Sequence, residues 1–503
     1  MTAMAEFTLD VFQNEFVGPG TTTMDAIVTV TSEGGTPMMP GEAAEVLVID
    51  TSGSMGTPPN RIRAARQAAA EAIDGIRDGV LFAVVAGTQR ARMVFPAWGT
   101  GLVVADPSTR AAAREAVRHL QAGGGTAMST WLLAARELFQ GCSATLRHVI
   151  LLTDGENWED ADLLDEALGV CNGLYQADCR GVGTDWIVSE LRTIASALLG
   201  TVDIIPEPEQ MAAEFRRLME RAMDRAVARA ELRVWCPQGA EVNFIRQVAP
   251  DVEDLTHRGA QLNERTRGYP LGAWGAESRD YHLSISVPAN DVGIEMLAGR
   301  VNLVVEGVLN GQALVRTVWT DDEAASARIN REVAHYTGQA ELSASIREGL
   351  EALKAGDERT ATVKLGHATR LAVDSGHEGT VRLLKRVVEV DDERAGTVRI
   401  RRQVAKVDEM ALDTRSTRTV RVRKGVPRGE EVDLDARSTR TVRVGGAGPG
   451  SGRVGGTGGS GAGGSGTGGS GAGGSGAGGS GGPNGPGGSG GPDQATGTEG
   501  VGP

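Results

Sequence analysis

Lysine is almost missing from this chain. It stands only at positions 354, 364, 385, 406 and 424, so basic character falls to arginine. No GxxxxGK phosphate loop occurs, and upstream of residue 354 no lysine is there to build one. No HExxH motif is present either, which removes the common metalloprotease pattern. The four cysteines, at 142, 171, 179 and 236, show no CxxC spacing, and none pairs with a histidine at zinc-ligand spacing. They read as buried free thiols. No run approaches the roughly 18–20 apolar residues of a membrane span. The opening MTAMAEFTLDVFQNEF lacks a basic stretch followed by an apolar one, so it does not read as a signal peptide, and a cytoplasmic protein without membrane contact is expected. Positive charge is also short: the net charge is −14, which disfavours nucleic acid as the main partner.

What is present is enough apolar sequence for a large core, 40% of 503 residues, distributed over several domains. Residues 1–41 hold two strand-like runs, Phe7–Phe16 and Ala26–Val30. From 42 to 230 short continuous apolar runs alternate with helical periodicity. Glu45–Ile49, Leu81–Ala86 and His148–Leu152 read as buried parallel strands, with Leu174–Arg180 and Val202–Ile205 after them. Ile62, Ala65, Ala69, Ile73 and Ile76 fall at helical spacing, helices are expected over Arg110–Leu120, Thr130–Phe139 and Ile187–Leu199, and Glu209–Ala230 reads as a long amphipathic helix. This alternation predicts an α/β fold with a doubly wound, mainly parallel sheet. Residues 231–320 read as an antiparallel β-sandwich that recruits the N-terminal strands, and 321–392 as a small helical bundle. Residues 393–444 are expected to be a basic linker. Residues 445–503, Gly/Ser-rich, are expected to be disordered.

The most informative segment is Asp50-Thr51-Ser52-Gly53-Ser54, directly after the apolar run EVLVI. Ligands of open α/β sheets bind beyond the carboxyl ends of the strands, where Asp50 lies. Ser52 and Ser54 can aim both hydroxyls at one point, with Gly53 allowing the turn. Gly123-Gly124-Gly125-Thr126 ends a flexible loop in a hydroxyl just before a helix, and Asp154 ends the HVILL strand. Hydroxyls and carboxylates are hard oxygen donors suited to Mg²⁺, with Mn²⁺ compatible. Capping of turns by Asp50 and Asp154 is the bland alternative.

These residues resemble the metal-ion-dependent adhesion site of von Willebrand factor A (VWA) domains, in the intracellular bacterial type. The pattern there is DxSxS, then a threonine, then an aspartate. Asp50, Ser52, Ser54, Thr126 and Asp154 match it in order, and the likeness extends over roughly residues 42–228, including the GVGTDW segment. The resemblance implies one divalent cation and a partner protein that offers it a Glu or Asp carboxylate. It implies a binding module, not an enzyme. Trp158 beside the site either offers an exposed aromatic contact or packs on the sheet.

LDTRSTRTVRV at 412–422 recurs as LDARSTRTVRV at 434–444, differing only at Thr414 against Ala436. Thr417, Thr419, Thr439 and Thr441 each have valine three positions on. The motif looks like phosphothreonine ligands of forkhead-associated domains, which brings a Ser/Thr kinase into the expected partner set. A solvated basic linker is the competing reading. Two functions are therefore expected of the whole: a cation-dependent scaffold linked to such signalling, or an adaptor for an ATPase chaperone or metal-insertion machine.

Overall fold

Strands that are mostly apolar on both faces must be covered on both, and five such strands form one parallel sheet. The protein is seen in a computed structural model that describes residues 5–35, 41–96, 101–328, 330–419 and 421. The sheet runs Val202–Ile205, Gln176–Val182, Leu146–Thr153, Ala43–Asp50, Leu81–Gly87, with Arg92–Phe95 antiparallel at the edge. Successive side chains of the central strand divide between the faces. Leu47 and Ile49 pack with the helices Asn60–Gly75, Pro107–Arg118 and Met211–Met223. Val46 and Val48 pack with Met128–Gln140, Ala161–Cys171 and Val188–Ala197. Because Ala43–Asp50 sits between Leu81–Gly87 and Leu146–Thr153, the chain leaves it in one direction and returns on the other side. The loops after Asp50 and Thr153 thus diverge from neighbouring strand ends and leave a crevice between them.

The sheet also buries charge. His148 is fully enclosed, with Nδ1 2.8 Å from Glu45 and Nε2 2.9 Å from Asp178. The three residues come from three adjacent strands, with Glu45 opposite His148 and Asp178 two residues further along its own strand. Burial alone would lower the His148 pKa, but Glu45 and Asp178 raise it. Burial would raise that of Asp178, yet His148 holds it well below the usual carboxylate range.

The helix expected to reach Ala230 stops at Met223, and Val227–Trp235 is already a strand. That strand enters a two-sheet sandwich. One sheet has the order Glu6–Gln13, Thr23–Glu33, Ser278–Ser286, Glu241–Ala249, Glu253–Asp254. The other runs Ala260–Asn263, Thr266–Trp274, Val227–Trp235, Glu295–Val305, Val308–Trp319, Phe16–Val17. Between them lie Tyr269, Trp274, Tyr281 and Trp319, all fully buried. Thr266–Trp274 escapes the sequence reading because Gly268, Pro270 and Gly272 interrupt its alternation. Pro270 is tolerated because Ala260–Asn263 pairs only as far as Gly268, so no neighbour on that side asks for its missing N–H.

The last part is helical: Arg331–Lys354, Glu358–Asp374 and Glu378–Val387, started by side-chain caps from Asn330, Asp357 and His377. A hairpin of Val388–Asp392 with Thr397–Ile400 follows, then a helix over Lys406–Arg415. The expectation of a linker from residue 393 is therefore corrected. Met410 and Ala411 pack against the core of the α/β domain, while Leu412 joins that of the helices. Apolar residues at helical spacing are present there, but the surrounding charge masks them. The second repeat and the Gly/Ser-rich segment lie outside the described residues.

Candidate metal centre

The strand Ala43–Asp50 delivers Asp50 fully buried at its carboxyl end. One carboxylate oxygen accepts the Ser52 backbone N–H at 2.7 Å, and the other accepts the Thr153 hydroxyl at 2.5 Å. The chain then turns through Gly53–Gly56. Ser52 Oγ lies 2.9 Å from Ser54 Oγ, and Ser54 Oγ donates to Asp154 at 2.6 Å. Thr126 arrives on a third loop, which the backbone pins to the first. Gly53 N–H donates to the Gly124 carbonyl at 2.9 Å, and Gly123 N–H to that of Thr51 at 2.8 Å. Gly124 adopts φ +86°, and the Gln89 side chain occupies the space that a Cβ would need. A Cβ placed on Gly155 would lie 3.1 Å from Ser54 Oγ and 3.5 Å from Thr126 Oγ1, so both hydroxyls face the same small space above that glycine.

All five sequence-predicted residues thus meet at one crevice, and Asp50, Ser52, Thr126 and Asp154 are buried. Burial pushes the Asp50 carboxyl up to about 6 against the bonds from Ser52 and Thr153, and the charge of Asp154 adds to the rise. Asp154 is also raised by burial, opposed by Ser54 and Arg61. Two desolvated carboxylates with three hydroxyls beside them fit a hard divalent cation, which would compensate their charge. Among the described residues no group of three or more His, Cys, Asp or Glu could hold a metal ion, so such a site depends on its hydroxyls.

Several supporting residues have no signal in the motif. Arg61, on the helix Asn60–Gly75, donates to Asp154 at 2.9 Å and to Asp185 of the GVGTDW segment at 2.8 Å. The N-terminus of helix Met128–Gln140 has no cap of its own. Asn157 accepts the N–H of Met128 at 3.0 Å and Glu159 that of Ser129 at 2.7 Å, which ties the loop after Asp154 to the helix after Thr126. Trp158 is 82% exposed on that loop, and its N–H donates to the Thr126 carbonyl at 2.9 Å.

The candidate phosphosites are placed differently from expectation. Thr417 and Thr419 are half-buried and bonded to the segment Pro250–Val252, so the first repeat is not a solvated linker. Thr439 and Thr441 lie outside the described residues.

Residues 46–156 match the von Willebrand factor type A domain, and residues 370–416 match the von Willebrand factor type A C-terminal domain. A solved von Willebrand factor type A structure from Catenulispora acidiphila is 46% identical, aligned over 84% of this chain and 98% of that one, with a TM-score of 0.80. The ArnB paralog VWA2 from Sulfolobus acidocaldarius shares the fold alone, at 16% identity over 82% and 98% of the two chains and a TM-score of 0.51. A Synechocystis sp. protein described as uncharacterized is 30% identical over 229 residues, and the chain spans about half (52%) of its length. With both domain matches in chain order and nearly the whole of a 46%-identical relative aligned, the chain belongs to the von Willebrand factor A family.

Proposed function

We propose that this protein is a cation-dependent protein-binding scaffold. Ser52, Ser54, Thr126, Asp50 and Asp154 would hold Mg²⁺, with Mn²⁺ acceptable to the same donors. The observation that carries the reading is the convergence of three loops on the space above Gly155, walled by hydroxyls and two buried carboxylates. A bound cation supplies positive charge there and a ligand position for a Glu or Asp carboxylate of the partner. The chain's own groups do the positioning. Thr153 and the Ser52 N–H orient Asp50, Arg61 orients Asp154, and Asn157 and Glu159 fix the loop that carries Trp158. Trp158 offers apolar area beside the ion, as buried aromatic anchors do in other interfaces.

We read the site as one that binds and does not catalyse. The four free cysteines suit a reducing compartment, which supports the cytoplasm. Among the described residues, no helix is long and apolar enough to cross a membrane. The link to a Ser/Thr kinase and a forkhead-associated domain falls to Thr439 and Thr441, because Thr417 and Thr419 are already engaged.

Two measurements test the proposal. Titration calorimetry should show Mg²⁺ binding that Asp50→Ala abolishes. Pull-downs on the full chain should capture proteins in Mg²⁺ that are lost in chelator, in Asp154→Ala and in Trp158→Ala. Unchanged Mg²⁺ affinity in Asp50→Ala, or capture indifferent to chelator, would count against it.

A further inference from the structure

The first copy of the duplicated segment is seated between the α/β sheet, the sandwich and the helices, where Thr417, Arg418 and Thr419 form part of the wall of a cleft, a cavity of about 1050 Å³. Side-chain ion pairs hold it at both ends and backbone bonds hold it between them. Arg415 Nε lies 3.0 Å from Asp203, and Arg418 pairs with the same buried carboxylate. Arg421 reaches Asp280 at 3.2 Å. Between them the backbone turns at Ser416 and Thr417 and forms a single antiparallel bridge, Arg418 with Asp251. The Thr417 carbonyl accepts the Val252 N–H at 2.7 Å, Thr419 N–H donates to the Pro250 carbonyl at 2.9 Å, and the Arg418 carbonyl lies 2.8 Å from His377 Nε2. Asp413, just upstream, accepts Arg192 at 2.7 Å.

Every one of these anchors recurs 22 residues later. Arg415–Arg421, RSTRTVR, is identical to Arg437–Arg443, and Asp413 has its counterpart in Asp435. The one change inside the repeat, Thr414 against Ala436, removes only a hydroxyl that donates to the Met410 carbonyl of its own helix at 2.9 Å and a methyl group, and none of the ion pairs named above. Ahead of the repeat the two copies diverge. Met410 and Ala411, which pack into the α/β core, correspond to Val432 and Asp433. The first copy therefore has an apolar anchor that the second lacks, and is the resident occupant. Both are tethered to the same body. The extra 22 residues of tether dilute the second copy without removing it, since loop closure falls off only as a low power of length.

We propose that the cleft is a receptor for the RSTRTVR segment that accepts either copy, so that Arg437–Arg443 takes the place of Arg415–Arg421 on the same chain when the first copy is withdrawn. One copy then fills the cleft while the other is presented to a partner. The duplication is thereby given a physical role independent of the cation site.

Peptide-resolved hydrogen exchange on the full-length protein tests this. In the wild type, the Val252 and Thr419 amides should be protected and residues 437–443 should exchange freely. In Arg415→Glu/Arg418→Glu, protection should leave 415–421 and appear on 437–443, with Val252 still protected. Adding Arg437→Glu/Arg440→Glu to that variant should expose Val252 as well. The strand Leu146–Thr153 serves as the folding control in all variants. Exposure of Val252 with free exchange at 437–443 in the first variant overturns the proposal. So does protection retained at 415–421, since the arginines would then not be what the cleft reads. Transfer that appears only at raised protein concentration would overturn the same-chain form.

Discussion

Replacing Asp50 by asparagine should make the cation-free protein more stable and leave it unable to gain from the cation. The substitution keeps the shape of the side chain. Its amide oxygen can still accept the Ser52 N–H, and its NH₂ can donate to the Thr153 hydroxyl, which is free to turn toward the Gly155 carbonyl at 3.3 Å. What disappears is a buried negative charge. Burial raises the Asp50 carboxyl from its usual 3.8 to about 6. At about 1.4 kcal/mol per pH unit, that charge costs the fold on the order of 3 kcal/mol at neutral pH. The folded-state value lies above the unfolded one. The cost is therefore complete above about pH 6 and fades as the pH falls toward 4. Denaturant unfolding in chelator at pH 7.5 should place Asp50→Asn above the wild type by up to that amount, and the gap should shrink at pH 5. With Mg²⁺ at a hundred times its Kd, the wild type should gain about 2.7 kcal/mol and the variant nothing. An Asp50→Asn protein less stable than the wild type in chelator at pH 7.5 would refute the reasoning, as would one that gains equally from Mg²⁺.

Gly155→Ala puts a methyl group 3.1 Å from Ser54 Oγ, into the space that the hydroxyls face, so calorimetry should show at least a tenfold loss of cation affinity with little change in the cation-free melting temperature. Arg61→Gln removes a positive charge from Asp154 and should tighten Mg²⁺ binding by on the order of tenfold, the size expected for a unit charge several ångströms from a divalent ion in high dielectric. His148→Gln leaves Glu45 and Asp178 buried without a cation between them and should cost about 3–5 kcal/mol in urea unfolding. In the wild type that histidine contributes with the opposite sign to Asp50: its folded-state pKa is raised, so its stabilisation is complete below 6.5 and is lost as the pH rises through the folded value.

Much of the site was legible before any coordinates, because its chemistry lies in residues whose spacing the fold makes meaningful. An apolar run that ends in DTSGS, and another that ends in TD, mark strand ends by local pattern alone. The supporting groups were not legible. Arg61 is one arginine among many on a helix surface, and only the return of the GVGTDW loop shows that it joins Asp154 to Asp185. Asn157 and Glu159 read as ordinary loop polarity until helix Met128–Gln140 is found without a cap of its own.

The repeat shows the same division from the other side. Composition made residues 393–444 look like a basic linker, since charge and threonine outnumber apolar residues there. Burial of Met410, Ala411 and Leu412, with Asp203 shared by Arg415 and Arg418, was enough to dock part of it. Local sequence determined the parallel sheet, the strand that ends at Asp50 and the identity of the oxygen donors, because periodicity and turn chemistry act over a few residues. Tertiary structure alone decided which distant side chains share a carboxylate, since Arg61 and Asp154, or Arg418 and Asp203, are brought together by the packing of whole elements.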